Sequence, residues 1–144
     1  MRDALIVSTA RTPLTKSYRG TFNNTTAPTM AGWAIEEAVK RSGVDPEKVD
    51  DVIMGAALQQ GTTHCNVARN AALAAGLPVT VSGMTLDRQC SSGMMAIATA
   101  AKQIISDGMD VVVGGGLDSI SLVQTEKMNL DRWVDKKLIA KHKH

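Results

Sequence analysis

Short apolar runs alternate with stretches of helical periodicity along most of the chain, and this alternation predicts its elements. Residues 4–7, ALIV, are an apolar run bounded by polar positions, the pattern of a buried strand. Residues 11–28, RTPLTKSYRGTFNNTTAP, are rich in Thr, Asn, Gly and Pro and read as a long loop, of a length that usually has a function. From 28 to 42, Ala31, Ala34, Ile35, Ala38 and Val39 share one helical face. Pro28 sits in the first turn and Gly43 follows the last, so an amphipathic helix is predicted. After the Asp45-Pro46 break, residues 49–58 contain VIMGAAL, a second strand in which Gly55 permits close backbone approach.

Residues 66–75 are Ala-rich and helical in propensity, and Gly76 and Pro78 supply the stop signals. VTVSGMTL, residues 79–86, places Val79, Val81 and Thr85 on alternate positions and predicts a third strand. Residues 91–107 form a long helix whose one charge before Asp107 is Lys102; a helix apolar nearly all round is normally buried. Gly108 ends it, and DVVVGGG, residues 110–116, is a fourth strand running into a glycine cluster. Strands and helices in succession predict an α/β fold with right-handed crossovers and a mainly parallel sheet. From 122 to 144 the chain is more charged, which marks a change of environment.

The chain has 144 residues, enough for one ordinary domain or part of a larger one. Aromatic residues make up only 3% of it, so the core must be built from Ala, Val, Ile, Leu and Met. Stacking surfaces for single-stranded nucleic acid are nearly absent for the same reason. A formal net charge of +2, with acids and bases mixed, points to no particular partner. The cluster Lys136, Lys137, Lys141 and Lys143 reads as a solvated helix end. No stretch approaches the roughly 20 apolar residues that span a bilayer. The opening MRDALIVS is interrupted too early for a secretory signal, so a cytoplasmic setting is expected. There Cys65 and Cys90 remain free thiols. His64, Cys65, His142 and His144 lack the number and spacing of a zinc site.

Cys90 lies between the third predicted strand and the apolar helix that follows. The first turn of a helix presents unpaired N–H groups and a partial positive charge, which favour a thiolate and an oxyanion formed beside it. Ser91, Ser92 and Gly93 leave room for a substrate to approach, as in the strand-to-helix elbows of other α/β enzymes. Position alone supports two readings: a nucleophile, or a buried small hydrophobe.

Segment 87–97, DRQCSSGMMAI, resembles the nucleophile motif of the thiolase family, in which Cys-Ser-Ser-Gly opens a buried helix. ALIVSTARTPLTKSYRG is similar to that family's opening strand and Arg-Thr-Pro loop, and NVARNAALAAGLP to the helix before its third strand. DVVVGGGLDSIS resembles its Gly-Gly segment, with Asp118 where Glu is common, and QTEKMNLDRWVDKKLIAKHKH resembles the entry to its loop domain. The resemblance implies a thiolase-type layered α/β fold: an N-terminal half with a mainly parallel mixed sheet and a buried nucleophile-bearing helix. Residues 1–121 would be the N-terminal α/β domain and 122–144 the start of the loop domain.

By that resemblance Cys90 accepts an acyl group as a thioester, and the acyl group then leaves on coenzyme A or condenses with a second acyl-CoA. The resemblance also implies that coenzyme A thioesters are substrates, that no cofactor is bound permanently, and that a homo-oligomer forms through this domain. The family's activating His, its second catalytic Cys and its Asn-held water belong to a second half, and none of those motifs occurs here; Cys65, His64, His142 and His144 match none of them. The chain is therefore expected to be an incomplete enzyme that exposes apolar surface and does not complete a condensation cycle. Arg11, Arg19 and Arg88 suit scaffolding as well as phosphate contact, and Met94 and Met95 read as core filler. Two other functions fit: a ketoacyl synthase-like condensing enzyme, and a non-catalytic truncated subunit that binds acyl-CoA or a partner.

Overall fold

A computed structural model describes residues 2–126, 138 and 140. Helix α1 spans Ala27–Ser42, with Pro28 in its first turn and Gly43, at φ 69°, closing it through a bond to Lys40 O. Strand β1, Asp51–Gly55, follows, then α2, Val67–Ala74, whose first turn is capped by Asn66 Oδ1 accepting from Arg69 N. Next come β2, Ser82–Leu86, α3, Ser92–Lys102, and β3, Val112–Gly116, followed by a short helix α4, Ile120–Val123. A π-helical turn, Gln103–Asp107, extends α3 to Gly108.

The three strands form one sheet in the order β2-β1-β3, and both pairings are parallel. Asp51 lies opposite Ser82 on one side and Val112 on the other. The expected α/β architecture is present, and every described strand runs the same way. Two helical layers cover the sheet. Val52 and Met54 of β1 join Ile35, Val39, Ala71 and Val81 in the core beneath α1 and α2. Ile53, pointing the other way, meets Ala96 and Ala100 of α3. The alternation buries β1 on both faces, as a central parallel strand requires. Among the described residues the buried apolar side chains are Ala, Val, Ile, Leu and Met, as the low aromatic content requires.

Two acids fasten the start of the sheet. Asp50 Oδ2 accepts from Asp110 N at 2.8 Å and Val111 N at 3.1 Å. The buried Asp51 accepts from Val52 N through Oδ1, and through Oδ2 from Gln103 Nε2 at 2.9 Å.

Three expectations need correction. The run 4–7 is not a buried strand: Leu5, Ile6 and Val7 are 76%, 78% and 69% exposed and outside the sheet. An apolar run shows that residues favour burial, but it does not supply the neighbouring edge that would pair with them. The third strand begins at Ser82, because residues 78–81 close a turn with Val81 N donating to Pro78 O, and Val79 is exposed. Helix α3 is buried on one face only. Ser92, Ala96 and Ala100 pack inward, while Met94 and Ile97 are exposed, because only the sheet covers this helix among the described residues. The lysine cluster and most of 122–144 lie outside the described residues.

Candidate active site

The strands all deliver their C-terminal ends to one edge of the sheet, the location where open parallel sheets collect ligands. Helix α3 starts there. Glycine explains how closely it sits: a Cβ on Gly55, the last residue of β1, would lie 2.1 Å from Ser92 C and 2.5 Å from Gly93 N. One on Gly116, the last residue of β3, would lie 2.7 Å from Gly93 Cα. The absent side chains seat the first turn of α3 directly on two strand ends.

Residues 87–91 turn the chain from β2 into α3. Gln89 has a φ of 51°, a left-handed conformation costly for a residue with a side chain. Ser92 holds the turn around its buried hydroxyl: Oγ accepts from Arg88 N at 2.8 Å and donates to Gln89 O at 2.6 Å. Gln89 N donates to Asp87 Oδ1 at 2.7 Å, and Ser91 N and Ser92 N return to Arg88 O and Gln89 O.

Cys90 sits on the outside of this turn as an exposed free thiol. The N–H groups of Gly93 and Met94 have no hydrogen-bond partner among the described residues. They point out of the helix start with its partial positive charge. Among the described residues Cys90 is therefore not packed into the core.

Asp118, just beyond β3, is the ionisable group most affected at this edge. Loss of surrounding water raises its pKa above the ordinary carboxylate value, opposed by N–H groups of Ala57 and Leu58 and aided by the charge of Asp87. Its Oδ1 accepts from Ala57 N at 3.3 Å, which joins the end of β3 to the chain leaving β1. A cavity of about 250 Å³ lies beside it, bounded by Arg11, Phe22, Asn23, Met54 and Ser121; Cys90 is not among its walls. Tyr18 fastens the preceding loop to α4, its N–H donating to Ser121 Oγ and its hydroxyl to Gln124 O, each at 2.9 Å.

Apart from Arg88, Met94 and Met95, which adjoin Cys90 along the chain, the other residues singled out from the sequence are not in its turn or the helix start that follows. Arg88 is exposed in the turn, Arg19 is exposed in the loop, and His142 and His144 lie outside the described residues. Cys65 is exposed, its Sγ 2.6 Å from His64 Nδ1. Among the described residues no group of three or more His, Cys, Asp and Glu could hold a metal ion, and no helix is long and apolar enough to cross a membrane. Sequence reasoning credited Ser92 only with being small and overlooked its hydroxyl as the centre of the turn. Ser three positions after Gln89 was the available signal, because Ser hydroxyls bond the backbone at such spacings.

The profile of the family described as "Thiolase, N-terminal domain" matches residues 4–143. The chain is 38% identical to a 3-ketoacyl-CoA thiolase of Bacillus subtilis over 123 residues, which are 85% of this chain and 32% of that protein. It is 41% identical to an acetyl-CoA acetyltransferase of Cupriavidus necator, covering 84% of this chain and 30% of the relative. The crystal structure of the Bacillus anthracis acetyl-CoA acetyltransferase is similar at a TM-score of 0.82 and 43% identity, over 94% of this chain and 34% of that one. The chain thus spans about a third of the length of these relatives.

Proposed function

We propose, because the chain belongs to the thiolase family and carries its N-terminal domain, that it is the nucleophile-bearing part of an acyl-CoA acyltransferase, with Cys90 as the acyl acceptor. The observation that carries this reading is the exposed thiol on a strained turn, directly before a helix start with unpaired N–H groups. In the proposed half-reaction the Cys90 thiolate attacks the carbonyl carbon of an acyl-CoA. The carbonyl oxygen takes up the negative charge, and on collapse the carbon–sulfur bond to coenzyme A breaks. Coenzyme A leaves as a thiolate and takes a proton from solvent, and the acyl group remains on Cys90 as a thioester.

The later condensation or thiolysis step requires groups that activate the second thiol or the α-carbon, so this chain alone is not proposed to complete it. Residues 1–121 are proposed as the α/β domain and 122–144 as the start of the next. Assembly with further copies and a cytoplasmic, reducing setting that keeps both thiols free belong to the same proposal.

Incubation with acetyl-CoA, acid quenching and peptide mass mapping test the reading. A hydroxylamine-labile acetyl group is expected on Cys90, absent from C90A and retained in C65A. Faster iodoacetamide labelling of Cys90 than of Cys65, slowed by acetyl-CoA, is expected as well. Equal, slow and unprotected labelling of both thiols, with no acetyl transfer, would instead support a non-catalytic subunit.

A further inference from the structure

Helix α2 grips the strand that leads to Cys90. At Gly83 of β2 the two backbones are pressed together: a Cβ there would lie 2.6 Å from Arg69 Cα and 2.7 Å from Arg69 N. Side chains alternate between the faces of a strand, so Thr85 projects toward α2 as Gly83 does. Its hydroxyl makes two bonds there. Oγ1 accepts from Ala68 N at 3.0 Å and donates to Asn66 Oδ1 at 3.0 Å.

Both partners belong to the start of α2. Ala68 N is one of the first-turn N–H groups that a helix leaves without an acceptor of its own, and Ala68 is fully buried. Thr85 supplies that acceptor from the neighbouring element. Asn66, left-handed at φ 57°, caps Arg69 N with the same Oδ1 and donates from Nδ2 to Gly83 O at 2.8 Å. The start of α2 and the end of β2 are thus one hydrogen-bonded unit.

This end of β2 runs directly into the turn that carries Cys90. Leu86 follows Thr85, and its O accepts from Ala56 N at 3.0 Å, so α2 and the chain leaving β1 hold consecutive residues of the strand. Beyond Leu86 the bonds turn inward: Gln89 N goes to Asp87, Arg88 N to Ser92 Oγ, and Ser91 N to Arg88 O. A turn closed on itself inherits its place from its two ends. One is α3, seated on Gly55 and Gly116; the other is β2 at Thr85 and Leu86.

We propose that Thr85 is a positioning residue for Cys90, fixing the strand end from which the thiol is presented to an acyl carbonyl. It touches neither substrate nor reacting atoms, and the inference rests on the proposed acyl transfer to Cys90. Valine at 85 keeps the shape and the strand preference of threonine but leaves the buried Ala68 N without an acceptor. The end of β2 is then held by Leu86 O alone and is free to pivot about that bond.

Acetylation of Cys90 in the full chain is followed over a range of acetyl-CoA concentrations by acid quenching and peptide mass mapping. Thr85→Val is expected to lower the limiting rate by roughly tenfold and to keep the half-saturating concentration within about twofold, because the thiol is misplaced and the coenzyme A contacts are not. Thr85→Ser keeps the hydroxyl and is expected to return the rate to within about threefold of wild type. Gly43→Ala, which perturbs the end of α1, is the structural control: its urea midpoint falls while its Cys90 rate is unchanged.

Amide exchange at Ser91 and Ser92 reads the turn without acyl chemistry. It is expected to be at least about tenfold faster in Thr85→Val, with Ile53 unchanged. A folded Thr85→Val chain with the wild-type limiting rate and wild-type exchange would overturn the proposal, as would a slow rate that serine does not restore. If Cys90 of the wild-type chain takes up no acetyl group, the acyl-transfer reading fails separately, and the exchange at Ser91 and Ser92 decides whether Thr85 holds the turn. If Thr85→Val does not fold, Asn66→Gly keeps the left-handed backbone and removes the acceptor of the Thr85 hydroxyl, with the same losses expected and an unchanged rate overturning the proposal.

Discussion

Gly55→Ala tests whether backbone contact with β1 sets the position of Cys90. The added Cβ would lie 2.1 Å from Ser92 C, 2.3 Å from Ser92 O and 2.5 Å from Gly93 N. Packed carbon atoms settle at about 3.5–4.0 Å, so the helix start must retreat by about 1.5 Å. The opposing atoms are backbone and cannot rotate away. Overpacking of this kind costs about 1–3 kcal/mol, and the burial of β1 on both faces puts Gly55→Ala near about 3. Cys90 lies two residues before Ser92 and moves with it, and a displacement of about 1 Å at a reacting group costs on the order of 100-fold in rate. Urea midpoints and the rate of Cys90 acetylation by acetyl-CoA are the assays.

Gly43→Ala is the control: its φ is 69° with open space around the added Cβ. It is expected to cost about 1–2 kcal/mol through backbone conformation while leaving the Cys90 rate unchanged. A Gly55→Ala chain with the wild-type midpoint and the wild-type Cys90 rate would refute the seating argument.

Ser92→Ala leaves Arg88 N without its acceptor and is expected to lower stability by about 1–2 kcal/mol in urea unfolding, with a changed Cys90 labelling rate. Gln89→Val places a β-branched residue at φ 51° and is expected to destabilise by about 1–2 kcal/mol, whereas Gln89→Gly should be neutral or stabilising; the same unfolding curves separate them. Asp118 has a raised folded-state pKa, so the folded chain retains its proton to higher pH than the unfolded chain. Stability from this group should therefore fall as pH rises from about 3.9 through the raised folded value, then level off, and Asp118→Asn should remove that decline in urea midpoints across the range. Asp50→Ala removes the acceptor shared by Asp110 N and Val111 N, and a loss of about 1–3 kcal/mol is expected by thermal or urea unfolding.

Elements with a local cause were legible in the sequence. Helix α1 has its apolar face, Pro28 and Gly43, and β1 and β3 have dense apolar runs ending in glycine. The misread parts depend on distant partners. Whether 4–7 pairs is decided by β3, over 100 residues away in the chain. The alternation of Val79 and Val81 continues into a turn that Pro78 imposes. The site shows the same division. Cys90 before Ser91, Ser92 and Gly93 marks the strand-to-helix junction, and Gly55 is recognisable as a residue that tolerates close approach. That this approach is made by Ser92, that Gln89 is left-handed and that Asp118 loses water while bonding Ala57 all follow from the tertiary fold.

The central position of β1 also governs the order in which the sheet can be assembled during synthesis. Its partners at Ser82 and Val112 lie about 30 and about 60 residues downstream of Asp51, and both connections are parallel crossovers without a hairpin. At roughly 5–20 residues per second, β1 leaves the ribosome seconds before either neighbour exists, and β3 is the last of the described strands to be made. The most apolar strand of the fold therefore waits unpaired while α1 and α2 form beside it. Early contact of Val52 and Met54 with Ile35 and Ala71 would shield one face during that interval, which makes the α1–β1–α2 layer the unit to examine for protection of the nascent chain.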